Sequence, residues 1–334
     1  MTSRERLLQQ VARLEGALAP APIMRLEHPD VNLFAKLEFC NAAGSVKDKP
    51  AFCILRAAID RGDITPTTTI IESSSGNFAN ALALFSRALG LRFMPVIDPN
   101  ISPTNEACLR TTCDSIVKVH DLDDRQGYLK TRLARIRELQ ATLPDVYWPN
   151  QYANRDAIEA HYRFTGTEIC NAFSSLDYVF VGVSTCGTIS GVSRRVKEKF
   201  PHAKIIAVDA EGSLIFGGAP KKRCIPGIGA TVAPALLREA SIDDVVIVPE
   251  VETIRACRAL LDEHGLFVGG SSGSAYSAIQ MRRKALRGAR KPNVLFLCCD
   301  RGSAYLDTVF DDAWVAGHIE GAERESVASH RQVA

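Results

Sequence analysis

Along the chain, short runs of β-branched and aromatic residues alternate with longer stretches in which apolar residues recur every three or four positions. Residues 33–39, LFAKLEF, put Leu33, Ala35, Leu37 and Phe39 on one face, the alternation of a half-buried strand. The runs at 69–73, 91–97, 115–119, 178–183, 204–209, 244–248 and 293–297 predict further strands. Phe52, Leu55, Ala58 and Ile59 recur at helical spacing, and a second helix opens at Asn77, passes through Leu82, Leu84, Phe85 and Leu89, and closes at Gly90. Helical patterns also cover 124–141, 188–199, 251–264 and 274–288. Strands alternating with helices predict an α/β fold of parallel sheets covered on both faces. One sheet draws on about 69–120 and the other on about 178–300, which predicts two α/β domains with a cleft between them. No internal repeat stands out, and the polar stretch after Gly317 predicts a disordered tail.

Composition narrows the classes. The 334 residues are 46% hydrophobic and 23% charged, ordinary for a globular protein, and long enough for two domains. Forty basic residues against thirty-eight acidic give a net charge of +2, and the basic residues are dispersed, so nothing favours nucleic acid. The opening MTSRERLLQQVARLEG lacks the apolar core of a secretory signal. No window approaches the roughly 18–20 apolar residues of a membrane span. The ten cysteines are scattered with no Cys-x-x-Cys, and the adjacent Cys298 and Cys299 suit neither a disulfide framework nor a zinc site. No metal is expected, and reduced thiols in a cytoplasm are the simplest reading.

Chemistry gathers where predicted strands end in small polar residues, the place where α/β folds bind ligands. Lys47 follows the turn Ala42-Ala43-Gly44-Ser45 at the mouth of a helix. A strand runs into Ser73-Ser74-Ser75-Gly76-Asn77, another into Ser184-Thr185-Cys186-Gly187-Thr188, and a third junction reads Gly269-Gly270-Ser271-Ser272-Gly273. The loop at 184–188 has the makings of a phosphate cradle, because amides at a helix N-terminus point outward and the dipole favours an anion. It does not fit the nucleotide P-loop spacing. Taken singly, each junction also reads as a capped helix, and Lys47 as a surface charge.

In order and spacing these junctions resemble, over about residues 15–310, the fold-type II pyridoxal-phosphate enzymes with their tryptophan synthase β-like architecture, and more narrowly the cysteine synthase and cystathionine β-synthase family. The family's Pro-x-x-Ser-x-Lys-Asp-Arg stands here as Ala42-Ala43-Gly44-Ser45-Val46-Lys47-Asp48-Lys49, without the proline and with lysine for arginine. The resemblance implies that Lys47 forms the Schiff base with pyridoxal 5'-phosphate and then removes the Cα proton. It implies Asn77 at the ring hydroxyl, Ser184, Thr185, Cys186, Gly187 and Thr188 at the phosphate, and Ser271 at the pyridine nitrogen with Ser272 as the alternative. Ser73, Ser74, Ser75, Gly76 and Asn77 would take the substrate carboxylate. It further implies a larger domain from 1–40 plus 151–317, a smaller mobile domain from 41–150, a tail at 318–334, and a homodimer with a whole site in each subunit. The reaction expected is ping-pong β-replacement through an aminoacrylate.

Several positions depart from cysteine synthases. Ser184 and Cys186 stand for two glycines, Tyr152 for the usual phenylalanine, and 208–230 and 299–308 also differ. Together they resemble the siderophore-pathway branch that joins O-phospho-L-serine to the amino group of L-glutamate, releases phosphate and feeds 2,3-diaminopropionate synthesis. The Tyr152 and Ser184 hydroxyls would serve the bulkier, dianionic nucleophile. Arg132, with Arg301 as an alternative, would face the substrate phosphate. The alternatives are a cysteine synthase using O-acetylserine or O-phosphoserine with sulfide, and a cystathionine β-synthase-like enzyme. A nucleotide-binding oxidoreductase lacks its Gly-x-Gly-x-x-Gly here.

Overall fold

A computed structural model describes residues 3–123, 127–287 and 290–318. Apart from residue 318, the predicted tail lies outside them. Ten strands are found among the described residues: β1 (Ile23–Leu26), β2 (Asn32–Leu37), β3 (Thr69–Ser73), β4 (Arg92–Ile97), β5 (Val117–Lys118), β6 (Val146–Tyr147), β7 (Tyr178–Gly182), β8 (Lys204–Ala210), β9 (Asp244–Val248) and β10 (Asn293–Cys298). They form a six-stranded sheet in the order β1-β2-β10-β7-β8-β9 and a four-stranded sheet in the order β5-β4-β3-β6. Every pairing is parallel except β1 with β2. The central β10 sets Leu295 between Phe34 of β2 and Val179 of β7. Val179, Phe180, Val181, Leu295, Phe296 and Leu297 are all fully buried, because helices cover both faces of a parallel sheet.

The α/β expectation holds, with local differences that have physical causes. β2 stops at Leu37, and Glu38–Cys40 turns as a short 3-10 helix that carries Glu38 into a buried ion cluster. The strand expected at 115–119 shrinks to two residues, and the unpredicted β6 is equally short, leaving no period to read. The helix expected at 124–141 is described as Leu129–Thr142; residues 124–126 lie outside the description. The helix expected at 274–288 begins at Gly270, so Ser271 and Ser272 lie in its first turn, and it breaks at Arg282. Four further helices were not predicted, Ser3–Ala17, Pro103–Thr112 and the short Asp156–Ala160 and Thr167–Ala172; the second is capped by Ser102, whose Oγ accepts from Asn105 N at 3.2 Å.

One hydrophobic cluster joins the helices around both sheets, with Phe52, Leu55, Leu82, Phe85, Val179 and Ile189 among its members. The helix Asp48–Arg61 packs against both Asn77–Ala88 and Asp156–Ala160. At Gly191 a Cβ would collide with Ile158 O and Tyr162 N, so only glycine lets the helix Gly187–Lys199 press against the π-helical turn His161–Gly166. That close approach fixes the loop at 184–188 relative to His161.

Candidate active site

The lysine turn is anchored to the end of β10. Val46 N donates to Cys299 O at 2.7 Å, and Ser45 forms a β-bridge with Asp300. Gly44 takes φ +85°, and Asp48, fully buried, accepts from Ala43 N and, at 3.4 Å, from Ser45 Oγ. Burial pushes the Asp48 carboxyl up to about 6. Lys47 thus sits at the N-cap of Asp48–Arg61 with its side chain half-buried, and it makes no salt bridge among the described residues. Desolvation lowers its amine's affinity for a proton, opposed by Cys299, Cys186 and Asp300.

Behind this turn lies a closed ion quartet. Lys49 Nζ lies 3.0 Å from Glu38 and 2.7 Å from Glu168, and Lys36 Nζ lies 3.4 Å and 2.6 Å from the same pair. Lys49, the residue that replaces the family's arginine, is therefore fully engaged. Two residues apart on one turn, the paired Lys49 is locked and Lys47 is left for chemistry.

The loop at 184–188 links the end of β7 to the helix Gly187–Lys199. Cys186 adopts the left-handed conformation at φ 65°, and the first amide to bond back into this turn is Ser190 N, to Cys186 O at 3.1 Å. The N–H groups before it lie at the helix N-terminus, an end whose dipole favours an anion. Thr188 Oγ1 lies 3.1 Å from His161 Nε2, whose Nδ1 lies 3.0 Å from Thr165 Oγ1. Burial pushes His161 down to about 3, so the ring is neutral and acts as a brace for Thr188. Ser184 Oγ donates to Gly229 O at 3.1 Å, tying the loop to the strap at 227–229.

The helix starting at Gly270 separates its two serines. Ser272 is fully buried, and its Oγ accepts from Cys299 N at 3.0 Å. Ser271 faces Gly182 at the end of β7, beside the Cys299 thiol.

The loop after β3 builds the other wall. Asn77 begins the helix Asn77–Ala88, Ser74 Oγ accepts from Ala79 N at 3.3 Å, and Ser73 Oγ is buried with no partner. Arg132 reaches this loop from the helix Leu129–Thr142: its Nη1 lies 3.0 Å from Ser75 Oγ and 3.2 Å from Asp98 Oδ2, and its buried Nε has no partner. Arg301, the alternative cation, is exposed with its guanidinium 5.1 Å from the Phe39 ring centroid. Half-buried Tyr152 lies in the field of Arg132, Glu72 and Asp98, and desolvation raises its hydroxyl. Glu72 accepts from Trp148 Nε1 at 3.1 Å, Ser73 N at 2.8 Å and Gln151 N at 3.2 Å, which pins the chain entering Tyr152 to the loop after β3.

Burial pushes Glu72 from its usual 4.5 up to about 7. The unfolded chain therefore releases this proton first as pH rises, and Glu72 should subtract stability progressively between about pH 4.5 and 7. Urea unfolding of Glu72→Gln should show a flatter slope in that window than wild type. An unchanged slope would remove Glu72 as its source.

The structure brings Lys47, Asn77, the loop at 184–188 and Ser271 around the ends of β3, β7 and β10, with Arg132 and Tyr152 beside the Ser73–Asn77 turn. Sequence reasoning passed over Asp98, His161, Asp300 and Tyr305. Asp300 and Tyr305 fall in the departing stretch 299–308, and Asp300 lies two residues past the end of β10, where ligands gather in α/β folds.

A desolvated amine with no salt bridge among the described residues, an outward-facing helix N-terminus and a bare buried Ser73 hydroxyl fit a phosphorylated aldehyde and an amino-acid substrate. Fold and site together define a two-sheet α/β enzyme of the pyridoxal-phosphate type. The sequence matches the pyridoxal-phosphate dependent enzyme family over residues 14–300, and the chain belongs to that family. N-(2-amino-2-carboxyethyl)-L-glutamate synthase of Ralstonia nicotianae is 46% identical over 285 residues, covering 85% of this chain and 84% of that protein. The crystal structure of O-acetylserine dependent cystathionine β-synthase from Helicobacter pylori superimposes with a TM-score of 0.82 at 29% identity, over 88% of this chain and 97% of that one. O-ureido-L-serine synthase superimposes at 0.78 with 27% identity, over 93% and 98%. Among the described residues no helix is long and apolar enough to cross a membrane.

Proposed function

We propose that this enzyme joins O-phospho-L-serine and L-glutamate to give N-(2-amino-2-carboxyethyl)-L-glutamate and phosphate. The observation that carries this reading is the Arg132 guanidinium, held by Asp98 against the substrate-side turn with its buried Nε still unsatisfied. A departing phosphate dianion needs such a cation, and sulfide chemistry on a neutral acetyl ester does not. The similarity to the Ralstonia synthase supports the same reading.

Bound pyridoxal phosphate supplies the electron sink that lets a proton leave Cα. Lys47 holds that group, takes the Cα proton and returns it after addition. The amides and hydroxyls of 184–188 hold the phosphate ester, Asn77 the ring hydroxyl and Ser271 the ring nitrogen. Ser73, Ser74, Ser75 and Gly76, with Asn77, orient the substrate carboxylate. The Cβ–O bond breaks toward Arg132 and phosphate leaves, taking its proton from solvent; the glutamate nitrogen then bonds to Cβ and sheds one proton to solvent. Tyr152, and Ser184 once turned from Gly229, bind the incoming glutamate. We further place the reaction in siderophore assembly, in a cytoplasmic homodimer whose residues 41–150 move against 1–40 plus 151–317. The left-handed backbone of Asn150, at φ 50°, supports a hinge at that boundary.

A second reading, β-replacement by a thiol or sulfide, is favoured by the likeness to a hydrogen sulfide-producing enzyme from Fusobacterium nucleatum, at TM-score 0.79 and 25% identity over 90% of this chain and 99% of that one. The two readings separate in one assay. Purified holoenzyme given phosphoserine should release phosphate continuously with glutamate and only one equivalent without it. Tyr152→Phe should slow the glutamate-dependent step about tenfold or more while the single-equivalent burst persists. Faster turnover with sulfide than with glutamate would overturn the proposal.

A further inference from the structure

No role assigned above uses Asp300, although its carboxylate lies at the end of the central strand and is only 4% exposed. Oδ2 accepts from Asn77 Nδ2 at 2.7 Å and from Tyr305 Oη at 2.9 Å. Oδ1 has no partner and lies against Gly269, where any Cβ would overlap it. The Ser45–Asp300 bridge and the Val46–Cys299 bond fasten the backbone beside Lys47 to this same strand end. A buried carboxylate oxygen left bare is a penalty that calls for a compensating group. Burial raises the Asp300 carboxyl, opposed by its donors Asn77 and Tyr305 and by the Lys47 amine, and a proton on Oδ1 would find no acceptor.

Among the described residues, the groups around Lys47 leave Asp300 as its counter-charge. The groups that act on Lys47 or are acted on by it are Cys186, Cys299, His161 and Asp300. Burial pushes Cys186 and Cys299 up to about 12 and His161 down to about 3, so all three are neutral near pH 7. On its other sides Asp300 meets Tyr305, Cys257 and Cys298, each raised by burial, and Glu38 is taken up by Lys36 and Lys49.

We propose that Asp300 is a positioning residue for the reaction: it fixes the Asn77 amide against the ring hydroxyl and carries the negative charge that receives Lys47 as an ammonium once the amine has taken the Cα proton. Tyr305 holds that carboxylate in place from the far side. This rests on the reading of Lys47 as the proton-transferring amine, and it is independent of which nucleophile follows.

The test reads the Lys47 amine directly, in the full-length chain freed of cofactor. Reductive methylation at Lys47, followed by peptide mass across pH, gives the amine's titration midpoint. In Asp300→Asn the midpoint should fall by about one pH unit, a tenfold change in proton affinity. In Tyr305→Phe, which removes one donor but keeps the charge, it should rise or stay at the wild-type value. An unchanged midpoint in Asp300→Asn, or a fall in Tyr305→Phe, overturns the proposal; the Tyr305 variant alone decides it if Asp300→Asn does not fold. Either failure leaves the proposed reaction standing, because no amino-acid substrate enters this measurement. That reaction fails instead if the wild type, given cofactor, phosphoserine and glutamate, releases no phosphate.

Discussion

Lys47→Ala should bind pyridoxal phosphate, if at all, with the spectrum of the free aldehyde, and its turnover should fall at least about a thousandfold. The size follows from two lost functions in one side chain. In the proposed reaction the amine would be the covalent anchor and also the base for the Cα proton. Lys49, two residues on, cannot substitute, because both of its carboxylate partners lie within 3.0 Å and Lys49 is itself buried. Its distance from the chemistry is set by the helix: positions i and i+2 face different ways. A variant that keeps the wild-type spectrum would mean that another lysine carries the cofactor.

Glu38→Ala should produce the largest loss of stability of any single change away from the cleft. Desolvation opposes the charge on Glu38, but Lys49 and Lys36 outweigh it and hold the carboxyl below its usual range. Removing it leaves two buried ammonium groups sharing Glu168 alone. Breaking a buried pair in this way costs about 3–5 kcal/mol, mostly the penalty of the stranded charge. Urea unfolding at neutral pH should show that loss as a lower midpoint with an unchanged slope. Because the wild-type carboxyl is depressed, its contribution is present above the unfolded carboxylate's pKa and disappears as pH falls through the folded one. The gap between variant and wild type should therefore close in acid. A variant within about 1 kcal/mol of wild type at neutral pH would show that the quartet is stabilised by something other than charge balance.

The strands were readable from sequence because parallel strands buried on both faces are nearly continuous apolar runs, as at Val179–Val181 and Leu295–Leu297. Strands of two residues, such as Val117–Lys118 and Val146–Tyr147, have no period to detect. Helix starts were misjudged where glycine and serine read as loop: Gly270–Ser274 belongs to a helix because it is packed, and Gly273 leaves no room for a Cβ against Cys257. For the site, Lys47 and the serine-glycine junctions stood out only in combination, since each alone has a plain structural use. Arg132 was readable as a cation on a helix, but its partners were not. Asp98 lies at the end of another strand and Ser75 in another loop, and nothing local joins them. The same holds for Glu168, to which no local pattern points and which is shared by Lys36 and Lys49 from distant segments. Asp300 escaped notice because its meaning lies in what it touches, Asn77 and Tyr305, and in the oxygen it leaves bare.

Borohydride reduction of the holoenzyme, followed by peptide mass mapping, tests the assignment of Lys47 most directly. The reduced cofactor should be found on the peptide bearing Lys47 and on no other. Finding it on Lys36, Lys49 or another lysine, or finding none at all, would contradict the assignment.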